Sequence, residues 1–175
     1  MKAKITALAL ALPVVATAAV IDSGPQLLEV RETAAIAAPA DRVWATLVLP
    51  ARWWSKEHSF SGDAANLSLT PVAGGCFCEK LPGGGGVEHL RVVYVQPGKM
   101  LRMTGALGPL QGAPVAGVMT VALTPQGAGT RLALSYRVAG PVDGGADKLA
   151  PVVDMVLAQQ VAGLKATAER PGAPG

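Results

Sequence analysis

Two histidines and two cysteines, with a thin scatter of carboxylates, are the side chains from which this chain could assemble acid, base, thiol or metal chemistry. The run that concentrates them is Cys76-Phe77-Cys78-Glu79, with His89 ten residues past Glu79 and a glycine turn, Gly83 to Gly86, between them. If this run is a strand with Phe77 and Leu81 facing inward, alternation puts Glu79 on the same inner face. Burial would raise the pKa of such a carboxyl, and with His89 across the hairpin it forms the smallest kit for moving a proton to or from a carbonyl compound. The direction of His89 stays open, because Val87 to Val95 carries apolar residues on both faces. The competing reading leaves both groups solvated or satisfied at the sheet edge. His58 precedes Phe60, a second candidate for the same interior.

Cys76 and Cys78 raise the question of a disulfide or a metal site. In a regular strand they project from one face with Cα atoms about 6.5–7 Å apart and Cβ atoms as far apart, beyond the usual ~4.5 Å for a bridge. A bridge therefore requires a bulge, and the expectation is two small packing residues. A tetrahedral metal site wants three or four ligands, and no second cluster is spaced to complete one. The glycine turn has no accompanying Lys-Ser/Thr and is no phosphate cradle. No metal or cofactor is expected. Arg91 and Arg102 are solvated charges unless their strand faces prove inward, where either could meet a ligand carboxylate.

These side chains need a frame, and its organising element is the pattern from Asp147 to Glu169. At ~100° per residue, Leu149, Val152, Val153, Val156, Leu157, Val161 and Leu164 share one arc, with Asp154, Lys165 and Glu169 opposite. Pro151 belongs in a first helical turn, which puts the start near Asp147 to Ala150. Gly163, at the edge of the arc, would let the backbone approach the sheet. Gln160, near the arc's centre, must find partners if buried: either a guest, or a strand or water.

Before that helix, Leu27 to Ala37 alternates as a strand. Pro39, Asp41, Val43, Trp44 and Leu47 mark a short helix, and Ala51-Arg52-Trp53-Trp54 a second short turn after Pro50. Six more strands follow: Asn66 to Val72, Cys76 to Leu81, Val87 to Val95, Met100 to Leu107, Val115 to Thr124 and Thr130 to Val138. Met119, Val121 and Leu123 share a face, as do Leu132, Leu134, Tyr136 and Val138, so these strands cover an apolar interior on one side. Trp44 is assigned to the core, one of Trp53 and Trp54 to the cavity opening, and Met100, Met103 and Met119 to adaptable filling or lining. The loop Gly108 to Pro114 is a plausible cavity rim.

Residues 1–18 read as a secretion signal: Lys2 and Lys4, an apolar Ile5 to Val15, then Ala16-Thr17-Ala18 where a signal peptidase would cut. Without Lys2 and Lys4, 13 basic residues stand against 12 acidic ones. With no basic block, a nucleic-acid surface is not indicated, nor is a stable membrane anchor after cleavage. The expected organisation is signal 1–18, one domain over 25–169, and a tail over 170–175, in a periplasmic or secreted protein.

The order strand, two short helices, six strands, long helix resembles the START-like or Bet v 1-like (SRPBCC) superfamily, in its polyketide cyclase/dehydrase and Hsp90-ATPase-activator-homologue-like branch. The residues that carry the likeness are Ile36-Ala37-Ala38-Pro39-Ala40-Asp41-Arg42-Val43-Trp44, Arg52-Trp53-Trp54, Gly74-Gly75-Cys76-Phe77, Val92 to Leu101 and the closing helix. The resemblance implies an α+β helix-grip fold, a bent antiparallel sheet of about seven strands wrapped around the C-terminal helix with a cavity between them. It also implies binding of lipids, polyketides or other apolar small molecules, or, in a minority, cyclisation or dehydration.

Three functions follow. The first is a carrier or sensor holding an apolar small molecule or lipid among Trp53, Trp54, Phe60, Phe77, Met103, Met119, Tyr136, Val153 and Val156, with Glu79, His89 and Gln160 as orienting polar groups. The second is a cyclase or dehydratase using Glu79 and His89. The third is a protein-interaction domain with a vestigial cavity, docking through Leu107 to Leu110. The residue pattern itself does not demonstrate a catalytic machine.

Overall fold

A computed structural model describes residues 17–172. Eight antiparallel strands form one sheet in the order β1-β2-β8-β7-β6-β5-β4-β3. They are β1 (Thr17–Gly24), β2 (Leu27–Ile36), β3 (Leu67–Leu69), β4 (Cys76–Lys80), β5 (Gly86–Gln96), β6 (Met100–Thr104), β7 (Ala116–Gln126) and β8 (Gly129–Ala139). Helix α1 (Ala40–Leu47) and a 3-10 turn, Pro50–Arg52, follow β2, and α2 (Ala146–Ala168) closes the chain. This is the α+β helix-grip arrangement, with one strand more than expected. The extra strand, β1, pairs with β2 from Thr17↔Thr33 to Gly24↔Leu27. It precedes the expected domain start at residue 25. The expected leader lies outside the described residues, except for Thr17 and Ala18.

The inward rows follow the period-two pattern. Leu28, Val30, Ala34 and Ile36 of β2 are buried, and so are Leu132, Leu134, Tyr136 and Val138 of β8, which it pairs in register. Trp44 is only partly buried and packs against the edge of this core. Both Trp53 and Trp54 pack inward, their ring centroids 5.5 Å apart. The 3-10 turn ends at Trp53 (φ −137°, ψ −19°), so the helical spacing that would separate adjacent side chains is broken there.

Helix α2 runs alongside β2 and is fastened at both ends. At its start the Ala146 amide donates to the Pro25 carbonyl (3.0 Å) in the β1–β2 turn. At its end Lys165 Nζ donates to the Ala35 carbonyl (2.6 Å) and pairs with Glu169, whose carboxylate accepts from the Ala37 amide (2.7 Å). Three details depart from the sequence reading. Pro151 lies inside the helix, one turn beyond the expected start, because α2 begins at Ala146. Gly163 makes its close approach to the Trp53 carbonyl, which a Cβ would meet at 2.5 Å, and not to the sheet. Asp154, placed opposite the apolar arc, is half-buried against Glu32 of β2.

Glu32 sits in the inward row of β2, only 3 % exposed. Burial first, then the charge of Asp154 and a hydrogen bond with it, raise its pKa to about 7. Glu32 therefore keeps its proton to a higher pH than a free carboxyl does, and Glu32 Oε1 and Asp154 Oδ1 are buried without a partner.

Candidate functional site

The site begins at a strand irregularity. Phe77 of β4 faces Leu90 of β5, but Cys78 faces Glu88, so His89 has no partner on β4. An extra residue in one strand breaks alternation, and His89 and Leu90, though adjacent, are both buried. This bulge turns His89 inward, the direction that the apolar residues on both faces of β5 had concealed. On the opposing strand, Cys76 and Cys78 form a disulfide with Cα atoms 5.3 Å apart, closer than the ~6.5–7 Å of an extended strand. The expectation of two unbridged packing residues is thus corrected, because the distortion that a bridge requires is present.

Behind the imidazole lies Glu79, 2 % exposed. Its carboxylate accepts from His89 Nε2 (2.9 Å), the Phe60 amide (3.0 Å) and the Ser61 amide (2.5 Å). Burial alone would push this carboxyl up, but hydrogen bonds from Ser61, from the Phe60 amide and from His89 outweigh it and hold Glu79 below the usual carboxylate range. The raised pKa expected from the sequence is therefore reversed, because the amides of a neighbouring loop solvate the charge. An ionised carboxylate can only accept, so Nε2 of His89 carries a proton and Nδ1 is the ring's other nitrogen. The ring is held between Phe60 and Phe77, at centroid distances of 5.8 and 5.1 Å.

His89 forms part of the wall of a cavity of about 370 Å³. Val152, Val153, Val156 and Leu157 of α2 form one side, Trp54 and Phe60 another, and Leu107, Pro109 and Leu110 of the loop before β7 a third. Glu57, His58 and Ser59 complete the edge, and Phe60, 54 % exposed, stands at the rim. Tyr136 contributes a hydroxyl that accepts from the Leu107 amide (3.0 Å) and reaches the Gly105 carbonyl (3.4 Å). Burial pushes its pKa up to about 12, so it remains a neutral phenol. Gly105 and Gly117 let the backbones close around this hydroxyl: a Cβ on Gly117 would lie 3.1 Å from it, and one on Gly105 (φ +140°) 2.8 Å from the His89 carbonyl.

The remaining interior is packed. Between the second half of α2 and the sheet only about 30 Å³ is left, bordered by Trp53, Phe77, Met103, Met119 and Gln160 among others. That is room for about one or two waters. The twelve expected contact residues thus divide. Trp54, Phe60, His89, Tyr136, Val153 and Val156 line the cavity, whereas Trp53, Phe77, Met103, Met119 and Gln160 border the filled half. Glu79 stands behind His89 and outside the lining.

Gln160 is committed to the protein, accepting from the Ser55 amide (2.8 Å) and donating to the Val156 carbonyl (3.3 Å). With the contact of Gln159 to His58 (2.9 Å), it fastens the Ser55–His58 segment to α2. Arg91 and Arg102 are exposed, paired with Glu88 and Thr120 respectively, and do not line the cavity. Glu57, in the 3-10 turn Lys56–His58, and Ser59, which follows it, had no sequence signal, since three residues are too few to show a period. Among the described residues, no group of three or more His, Cys, Asp or Glu side chains is placed to hold a metal, and no helix is long and apolar enough to cross a membrane.

A bent antiparallel sheet, a long covering helix and an apolar cavity with a few polar groups on its wall define a small-molecule-binding class of the helix-grip fold. The chain belongs to the polyketide cyclase / dehydrase and lipid transport family, whose model matches residues 28–169, within the SRPBCC superfamily. No curated protein matches it. Among solved structures it is similar to an uncharacterised protein from Rhizobium leguminosarum (18% identity, 90% of this chain and 100% of that one, TM-score 0.62). It is likewise similar to CalU16 from Micromonospora echinospora (16% identity, 90% and 87%, TM-score 0.58). A third is the di-domain ARO/CYC StfQ from the steffimycin biosynthetic pathway (16% identity, 83% and 51%, TM-score 0.55), of which this chain spans about half. At these identities the likeness is one of fold.

Proposed function

We propose that this chain binds a small, mainly apolar molecule between the first half of α2, the Trp54–Phe60 segment and the Leu107–Leu110 loop, with His89 as the group that orients it. The observation carrying this reading is the cavity of about 370 Å³ whose wall includes the ring of His89. That volume lies near the lower end of ordinary ligand pockets, ~300–1,000 Å³, so the guest is compact and not a long acyl chain. The apolar wall would supply affinity through burial, and a hydroxyl or carbonyl on the guest would meet the imidazole. Export of the protein is part of the same proposal. It is supported by Lys2, Lys4, the apolar Ile5 to Val15 and Ala16-Thr17-Ala18 in the sequence, and by the Cys76–Cys78 disulfide, which suits an oxidising compartment.

Native mass spectrometry of protein purified from its producing cells, together with titration by the neutral fluorescent probe N-phenyl-1-naphthylamine, tests the binding reading. A co-purifying apolar compound, or saturable probe binding lost in Val156→Trp, is the expected result. No compound together with probe binding indifferent to Val156→Trp would end it.

A second reading, an acid–base enzyme, is favoured by one observation: the Glu79–His89 bond of 2.9 Å behind the cavity wall. Glu79 would fix the ring and stabilise its positive charge while Nδ1 takes a proton from a carbon next to a carbonyl. Deuterium incorporation into a bound β-dicarbonyl, absent in His89→Ala, is the expected signature. Equal incorporation by that variant would remove it. The vestigial-cavity reading has no comparable support, since the space beside Leu107 to Leu110 is open.

A further inference from the structure

The Cys76–Cys78 bridge is not used by the cavity. Phe77 and Glu79 of β4 point into the core, so the cysteines between and beside them lie on the outer, convex face. No helix covers that face at this point: the residues opposite them, Arg91 and Glu88 on β5 and Ser68 on β3, are exposed. The bridge spans a sequence separation of 2. A crosslink that closes so short a loop removes little entropy from the unfolded chain, far less than one joining distant segments. Stapling the fold is therefore a weak explanation for it. Both cysteines are half-buried at a solvent-facing surface, within reach of a small thiol.

The surrounding charges distinguish the two sulfurs. Cys76 pairs in register with Arg91 and Cys78 with Glu88, and Arg91 and Glu88 are themselves ion-paired at 2.5 Å. Directly opposed residues are nearest cross-strand neighbours, so a thiolate leaving from Cys76 departs on the Arg91 side of that ion pair, whereas one leaving from Cys78 departs on the Glu88 side. Exchange runs faster when the leaving sulfur better carries negative charge. We propose that Cys76 and Cys78 form a reversible thiol–disulfide exchange site for a small dithiol, attacked at Cys78 and releasing Cys76.

In the first step a thiolate of the dithiol attacks Cys78 Sγ. The Cys76–Cys78 bond breaks, its electron pair stays on Cys76, and a mixed disulfide forms at Cys78. The second thiol of the reagent gives its proton to the Cys76 thiolate and attacks its own sulfur in the mixed disulfide. It expels Cys78 as a thiolate, which takes a proton from solvent. The dithiol leaves as its cyclic disulfide, oxidised by two electrons, and the protein holds two thiols. The reverse path regenerates the bridge from the oxidised reagent. The exchange itself needs no guest in the cavity.

The test uses the native oxidised protein with dithiothreitol as dithiol, oxidised dithiothreitol for the return, and glutathione as a monothiol that stops at the first step. Alkylation and peptide mass spectrometry locate each sulfur. The expected result is reduction and reoxidation of the folded protein, with the glutathione adduct on Cys78 and the alkyl label on Cys76. Arg91→Gln should slow reduction about threefold to tenfold, and Glu88→Gln, which removes a charge repelling the incoming thiolate, should speed it by a similar factor. A bridge reduced only after unfolding, an adduct shared equally or placed on Cys76, or rates unchanged in both variants would overturn the proposal.

Discussion

Glu79 answers three donors at once, two loop amides and one imidazole, and that count decides its protonation state. Because its folded pKa lies below the 4.5 of an ordinary glutamate, its contribution to stability is complete above that value. It fades as the pH falls through the lower, folded one. Glu79→Gln should therefore cost about 1–3 kcal/mol near neutrality, and the difference from the parent should shrink in acid. Urea melts from pH 7 down to pH 3 measure this; a difference that stays constant over that range contradicts it. The same substitution frees the His89 ring, so probe binding should weaken more than it does for an unrelated variant of equal stability. Neither consequence follows from the presence of Glu79 in the chain. Alternation turned it inward, but a loop nearly twenty residues earlier supplied the amides that keep it charged.

Helix α2 and β2 meet across one conflict, the Glu32–Asp154 pair. Glu32 has a folded pKa of about 7 against 4.5 for an ordinary glutamate. Between those values the folded state holds the extra proton, so stability falls as the pH rises through that window and stays reduced above it. Glu32→Gln should raise stability at pH 8 by about 1–3 kcal/mol and leave it unchanged at pH 4. Thermal melts at the two pH values decide the matter, and an equal effect at both would refute the assignment. The pair of strands β4 and β5 carries a second testable coupling. If the bridge keeps β4 contracted opposite the bulge, reducing it lets β4 extend and shifts the register at His89. The ring resonances of His89 should then move on reduction, while those of His58, which is held by Gln159, remain in place. An unmoved His89 signal in the fully reduced protein would uncouple bridge and bulge.

The whole molecule is a half-filled grip. Large side chains from both layers plug the space under the second half of α2, while under its first half β-branched Val152, Val153 and Val156 leave room that the 107–110 loop and Phe60 border without filling. Substitutions should divide accordingly. Met119→Ala, in the packed half, should cost about 2–5 kcal/mol through the void it leaves, with probe affinity kept. Val156→Ala, beside existing space, should cost less and alter probe affinity. Denaturant melts paired with probe titration check both, and a reversal of the two patterns would show that the guest lies elsewhere.

The elements were legible because each has a local cause. Period-two rows in β2, β7 and β8 and the 100° arc of α2 are properties of neighbouring residues, and they led to the order of elements along the chain and the terminal helix, as alternation with Phe77 led to the inward Glu79. Strand β1 was hidden under residues that also read as the end of a leader, and Glu32 passed unnoticed as a charge in an otherwise apolar row. Which way His89 points, whether Cys76 and Cys78 join, and which half of the interior stays open were decided only in three dimensions. One unpaired residue in a ladder shifts every side chain near it, and whether a space remains depends on the volumes that several distant segments bring to it.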